Sequence, residues 1–189
     1  ALTQLLKMHR AAGGSAILLT ATLPLAQRQR LLQIYGHGPD DEPAYPALTV
    51  AAGAKRRDLP QEAGARGPVK VSKLSGADEA VDLLKRFAQS GAACVWVRNA
   101  VDDAIAAVLE LRARGIRADL LHARFALGDR KRIEAEQLAR FGKRGIERAG
   151  RVLVGTQVLE SSLDLDFDVM VSDLAPMAAL IQRAGRLWR

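Results

Sequence analysis

Three arginines recur at intervals of three in the stretch Gln182-Arg183-Ala184-Gly185-Arg186-Leu187-Trp188-Arg189. On a helix, positions i, i+3 and i+6 lie on overlapping faces that rotate slowly, so one guanidinium can point at one partner while the next points elsewhere. The group is planar, permanently charged and bidentate, which suits a phosphate or a carboxylate. The same residues can equally form a solvated basic helix end, favoured by the helix dipole.

Four further polar clusters stand where apolar runs end: Arg98-Asn99, His122-Ala123-Arg124, Gly155-Thr156-Gln157, and Asp173 ahead of Pro176. Thr156 and Gln157 can offer hydroxyl, amide and backbone N–H groups to phosphates, or Thr156 can simply cap a helix. Thr20-Ala21-Thr22 makes a similar cluster near the start of the chain, with Thr22 expected to cap a helix in which Pro24 takes an early position. Asp164, Asp166 and Asp168 alternate with Leu165 and Phe167. A calcium loop needs glycine and glutamate where Val169 and Ala175 stand, so the run is either a strand with its carboxylates in solvent or a place where Asp164 binds a sugar hydroxyl. Asp102-Asp103 reads as helix-start charge that complements the dipole.

Some chemistry is missing from the sequence. It holds no G-x-x-x-x-G-K-[ST] phosphate loop and no Asp-Glu pair closing an apolar strand to hold magnesium, so hydrolysis of a nucleotide by this chain alone is not expected. One cysteine, Cys94, in an apolar run, and three scattered histidines, His9, His37 and His122, give neither a disulfide nor a zinc spacing. A reducing, intracellular and cytoplasmic setting is expected. No apolar run approaches the roughly 18 residues of a membrane span, and Ala1 to Arg10 lacks the hydrophobic segment of a signal peptide, so no membrane partner is expected. The alanine start and the stop inside a basic motif lead us to expect a piece of a longer protein.

The charge is unevenly placed. Between Arg112 and Arg151 the chain carries 12 Lys plus Arg against 5 Asp plus Glu, an excess equal to the whole net charge of +7. Such a window fits a phosphate-bearing partner, most simply nucleic acid, or a solvated basic face.

Elements must bring these residues together. Apolar spacing predicts helices at Leu2 to Ala11 and up to Tyr35, with a short strand at Ser15 to Thr20 between them. Residues 37–47 hold Pro39, Pro43 and Pro46 and are expected to be a linker between an N-terminal part, 1–36, and a domain at 48–189. Leu48 to Ala51 reads as a weak strand, Gly53 to Pro68 as a mobile loop, and Val69 to Leu74 as a strand. Helices are then expected at Ala77 to Gln89, Asp102 to Arg114, Leu127 to Phe141 and from Pro176 onward. Strands are expected at Cys94 to Val97, Ala118 to Leu121, Arg151 to Val154 and Asp168 to Ser172. This alternation predicts an α/β fold, a parallel sheet with helices on both faces, whose strand ends would gather the four clusters on one edge.

In this order, Thr20-Ala21-Thr22, Arg98-Asn99, LLHARFALGDRKR (Leu120 to Arg132), VGTQVLESSLDLDFD (Val154 to Asp168) and QRAGRLWR resemble superfamily 2 helicases. More narrowly they resemble the CRISPR-associated helicase-nuclease family of type I interference. The resemblance implies two RecA-like lobes that hydrolyse ATP with magnesium at their cleft and move single-stranded DNA. This chain would hold the last strand and helices of the first lobe and most of the second.

It further implies that Arg186 and Arg189 reach the γ-phosphate, Asp164 and Gln182 lie at the nucleotide, Asn99, Arg124, Thr156 and Gln157 contact the strand backbone, and Thr20 and Thr22 couple hydrolysis to lobe movement. Arg183 would brace the motif against nearby carboxylates. The implied partners are single-stranded DNA, a CRISPR-guided surveillance complex and a nuclease domain in the same or a partner chain. Alanine at 184 and tryptophan at 188 depart from the family pattern. A recruitment module without motor activity, or an RNA helicase of the same superfamily, are the alternative readings.

Overall fold

The computed structural model describes residues 1–20, 22–36, 38, 47–51, 55–58, 68–143, 145–161 and 163–187, with the backbone alone at 55–58 and 161. The chain divides into two compact units, Ala1–Ala65 and Arg66–Arg189.

In the first unit, helices α1 (Leu2–Ala11) and α2 (Leu25–Ile34) pack through Leu6, Leu31 and Ile34, flanked by Leu23 and Tyr35. Arg10 donates to the Ile34 carbonyl and lies 6.0 Å from the centre of the Tyr35 ring. The cap of α2 is Pro24 rather than Thr22, and no side chain caps the helix. Thr22 instead closes a local turn with Thr20, whose Oγ1 accepts from the Thr22 N–H at 3.2 Å. Such a hydroxyl-to-backbone bond offers the chain an alternative to helix entry.

The strand expected over Ser15 to Thr20 does not form. A strand exists through its ladder partners, none is provided among the described residues, and Ile17 and Leu19 stay 89% and 92% exposed. A two-stranded antiparallel ribbon, β1 (Ala47–Val50) with β2 (Lys55–Asp58), completes this unit in the register Ala47 to Asp58. The basic run Lys55-Arg56-Arg57, expected as loop, is thus held as strand by pairing with β1. Apart from Gly38 and Ala47, the expected linker lies outside the described residues.

The second unit holds the four-stranded sheet. Its strands are β3 (Cys94–Val97), β4 (Arg117–Leu121), β5 (Arg151–Gly155) and β6 (Val169–Ser172), in the order β4-β5-β3-β6, all parallel. Helices α3 (Ala77–Gln89), α4 (Val101–Ala113), α5 (Leu127–Phe141), α6 (Val158–Ser161) and α7 (Met177–Ala184) connect or follow them. The sheet is covered on both faces, which is why β3 reads as an unbroken apolar run and is buried throughout.

Side chains alternate across the sheet. Cys94, Trp96, Val152, Val154 and Val171 meet α3 and α4 on one face, α4 contributing Ala104, Ala107, Val108 and Leu111 at helical spacing. Val95, Val97 and Leu153 meet Phe141 of α5 and the segment bearing Leu159, Leu163, Leu165 and Phe167 on the other. Val69 to Leu74 forms no ladder, and Val71 is 85% exposed. Helix α6 is an element the sequence pattern does not announce.

Candidate functional site at the carboxyl edge of the sheet

Every strand of a parallel sheet ends on the same edge, and here each end leads into the start of a helix. The β3 end carries Arg98 and Asn99, the β4 end His122 to Ala126, the β5 end Thr156 and Gln157, and the β6 end Asp173. The Arg98 N–H donates to the Gly155 carbonyl, and the Asp173 N–H to the Val97 carbonyl, so the ladder extends into these loops at 2.8 and 2.9 Å.

Arg183 sits at the centre of this edge and is 2% exposed. A buried guanidinium is tolerated only when its donors are satisfied. Its Nε and Nη2 reach Glu160 Oε1 at 2.9 and 2.7 Å, Nη1 reaches Ser172 Oγ at 2.8 Å and the Asp173 carbonyl at 3.0 Å, and Nη2 reaches Asn99 Oδ1 at 3.1 Å. One side chain therefore ties α7 to α6, to the end of β6 and to the β3–α4 loop.

Arg186 follows α7 and takes a different position. Its Nη1 donates to the Leu163 carbonyl and its Nη2 to the Glu160 carbonyl at 2.7 Å. The exposed Asp164 is the next residue after Leu163, so Arg186 and Asp164 share one corner of the domain. Gln182 is half-buried on α7, while Arg189 lies outside the described residues.

Asn99 and Gln157 are brought together: Gln157 Nε2 donates to the Asn99 carbonyl at 3.1 Å, and Asn99 Nδ2 to the Leu174 carbonyl at 2.8 Å. Thr156 is 2% exposed, with its N–H directed at the Leu121 carbonyl at 3.3 Å. Arg124 projects from the β4–α5 loop and is held by Asp102 at 2.7 Å. The hydrogen bonds from Arg124 hold the Asp102 carboxyl below the usual carboxylate range. In the same loop His122 stacks on Phe125 at 4.1 Å, and burial pushes the imidazole pKa down. Thr20 and Thr22 belong to the first unit.

Two charged stretches gain partners that lie far off in sequence. The basic window is not a bare patch, because acids outside it fold back onto it. Arg114 pairs with Asp82 at 2.6 Å, and Arg148 with Asp166 at 3.0 Å and Asp168 at 2.8 Å. The aspartate run is likewise not a solvent-facing strand, since Asp168 also accepts from the Ala93 N–H at 2.7 Å. Glu160 does not stand out in the sequence. Its signal is Arg183 itself, a cation on a largely apolar helix that needs a carboxylate once buried.

A sheet with this strand order, helices on both faces and its polar loops at the carboxyl edge is a RecA-like domain of the helicase type. The family model described as CRISPR-associated nuclease/helicase Cas3, C-terminal, matches residues 90–189, and the chain belongs to that family. The Escherichia coli K12 CRISPR-associated endonuclease/helicase Cas3 is 40% identical over 204 residues, covering 100% of this chain and 23% of that protein. The Streptococcus thermophilus CRISPR-associated nuclease/helicase Cas3 is 34% identical, covering 100% of this chain and 22% of its own length. The crystal structure of T. fusca Cas3 matches with a TM-score of 0.79 at 31% identity, over 100% of this chain and 25% of that one. A chain from a CRISPR RNA-guided surveillance complex, pre-nicking, matches with a TM-score of 0.74 at 30% identity, over 100% of this chain and 26% of that one. The T. fusca protein has also been solved with ATP. The chain thus spans about a quarter of the length of the relatives it matches.

Proposed function

We propose that this chain supplies the second RecA-like lobe, with the edge of the first, of an ATP-dependent single-stranded DNA translocase that unwinds target DNA in type I CRISPR interference. Residues 1–36 are read as the first-lobe edge, 37–47 as the linker and 48–189 as the second lobe. The observation that carries the reading is the corner where Arg186, seated on the Glu160 and Leu163 carbonyls, adjoins the exposed carboxylate of Asp164.

These residues fit a nucleotide. A guanidinium there can meet a terminal phosphate, and a carboxylate one residue from its seat can accept from a ribose hydroxyl. ATP, when bound, supplies the anhydride that is hydrolysed. Arg186 and Arg189 spread negative charge as it develops, Asp164 and Gln182 orient the nucleoside, and Arg183 holds α7 in place. No group of His, Cys, Asp and Glu able to hold a metal ion stands among the described residues, so magnesium is assigned no ligand here.

Asn99, Arg124 and Gln157 form the face for the DNA backbone, Gln157 being bonded to the Asn99 carbonyl, the buried Thr156 supports that face from behind rather than touching the strand, and Thr20 and Thr22 couple hydrolysis to lobe movement. A surveillance complex and a nuclease domain are the proposed partners, on the strength of the relatives' names. No helix of the described residues is long and apolar enough to cross a membrane, and the setting we propose is the cytoplasm.

Phosphate release by residues 1–189 tests the division of labour. No turnover above buffer is expected with ATP and single-stranded DNA, together with salt-sensitive binding of the strand. Sustained turnover by the chain alone contradicts the reading.

A further inference from the structure

The two acids that open α4 hold the two arginines that leave the ends of β3 and β4. Asp103 Oδ2 lies 3.8 Å from Arg98 Nη2. Asp102 accepts from both terminal nitrogens of Arg124, at 2.7 and 3.3 Å on its two oxygens. Complementing the helix dipole explains the presence of acids there, but not this pairing with strand-end loops.

The two arginines differ in how firmly they are held. Arg98 also binds Asp173 at 3.0 Å, lies 4.8 Å from the centre of the Trp96 ring, and has a side chain only 16% exposed. The Arg124 side chain is 61% exposed and its Asp102 partner 76%. An ion pair so exposed is weakly held and exchanges readily for another anion. His122 and Phe125, on either side of Arg124 in the same loop, stack 7° from parallel, so these neighbours are packed on each other while the Arg124 side chain is exposed.

We propose that Asp102 is an electrostatic gate on Arg124, occupying the guanidinium fork that a phosphate of single-stranded DNA would take and so setting how tightly the strand binds. The inference rests on the assignment of Arg124 to the DNA backbone. A carboxylate and a phosphate present the same pair of oxygens to the fork, so they compete for it. Once displaced, Asp102 keeps its negative charge beside the incoming strand, which opposes binding a second time.

The experiment is fluorescence anisotropy of a labelled single-stranded DNA oligonucleotide with residues 1–189 over a series of salt concentrations. Asp102→Asn is expected to tighten binding about 3- to 10-fold and to steepen the log–log salt slope by about 0.7, the value for one more phosphate neutralised on a single strand. Asp82→Asn is the control, since it removes the same charge. Asp82 pairs with Arg114, just past the far end of α4, a helix spanning Val101–Ala113 or about 18 Å at 1.5 Å per residue. That variant should change binding by less than about twofold. Arg124→Ala should weaken binding and erase the gain from Asp102→Asn. If Arg124→Ala weakens binding but Asp102→Asn matches Asp82→Asn or loosens the strand, the gate is overturned and the DNA face stands. If the chain binds no strand, or Arg124→Ala binds as wild type, the assignment of Arg124 fails and the gate with it.

Discussion

Arg183 and Glu160 are 23 residues apart in sequence and meet with two guanidinium nitrogens, Nε at 2.9 Å and Nη2 at 2.7 Å, on one carboxylate oxygen. Their side chains are 3% and 13% exposed. Breaking a buried pair leaves an uncompensated charge, and the penalty exceeds what the pair contributes as a unit. Arg183→Ala or Glu160→Ala should each lower unfolding free energy by about 3–5 kcal/mol in urea titration. The double replacement by methionine should recover most of that loss. Singles within about 1 kcal/mol of wild type would remove Arg183 from its structural role.

Gly155 closes β5 where the backbone of β4 comes near. A Cβ there would stand 2.5 Å from the Leu121 carbonyl oxygen and 2.8 Å from Leu159 Cδ1. Gly155→Ala should therefore cost about 1–3 kcal/mol through overpacking. Gly128, the second residue of α5, with open space where a Cβ would stand, is the counterpart. Gly128→Ala should add up to about 0.5 kcal/mol through helix propensity, less than at a helix interior. Thermal unfolding of the two variants should move in opposite directions.

Cys94 is fully buried in β3, and burial pushes its thiol up to about 12 from 9.0, with the Asp168 charge adding to the effect. At pH 8 its thiolate fraction falls about a thousandfold below that of the unfolded chain, so Ellman's reagent should leave native protein unlabelled and react at once in denaturant. The folded thiol binds its proton more tightly than the unfolded one. This contribution to stability is whole below pH 9.0 and drains away as pH rises toward about 12. A Cys94→Ala variant should show a shallower alkaline loss in denaturant titrations from pH 9 to 11. Rapid labelling of native protein would contradict the burial.

The sheet and its helices were legible where burial writes itself into local pattern. Helices α3 and α5 fall on the expected residues, and the apolar runs of β3 and β5 mark strands covered on both faces. Segments that depend on a distant partner were not. Ser15 to Thr20 and Val69 to Leu74 have strand composition without a ladder, whereas Lys55–Asp58 has loop composition and a ladder. At the strand ends the clusters were visible, because a polar group after a buried strand is a local signal. The pairings among them were not, since Asp102 meets Arg124 across 22 residues and Arg183 meets Asn99 across 84. The ion pairs of the basic window were hidden for the same reason: Asp82, Asp102, Asp166 and Asp168, which pair with its arginines, lie outside it in the chain.

The central claim is that Arg186 works on a nucleotide while the strand-end loops hold DNA. The most direct measurement is DNA-stimulated ATP hydrolysis by a full-length protein of this family with this chain in place of its own matching segment, comparing Arg186→Ala and Arg186→Lys with wild type. Loss of a guanidinium that spreads charge on a transferring phosphoryl group should lower the rate by about 10³- to 10⁵-fold in both variants, because lysine keeps the charge but not the fork. Single-stranded DNA affinity should stay within about twofold of wild type. Wild-type turnover by Arg186→Ala, or a loss confined to DNA binding, would contradict the account.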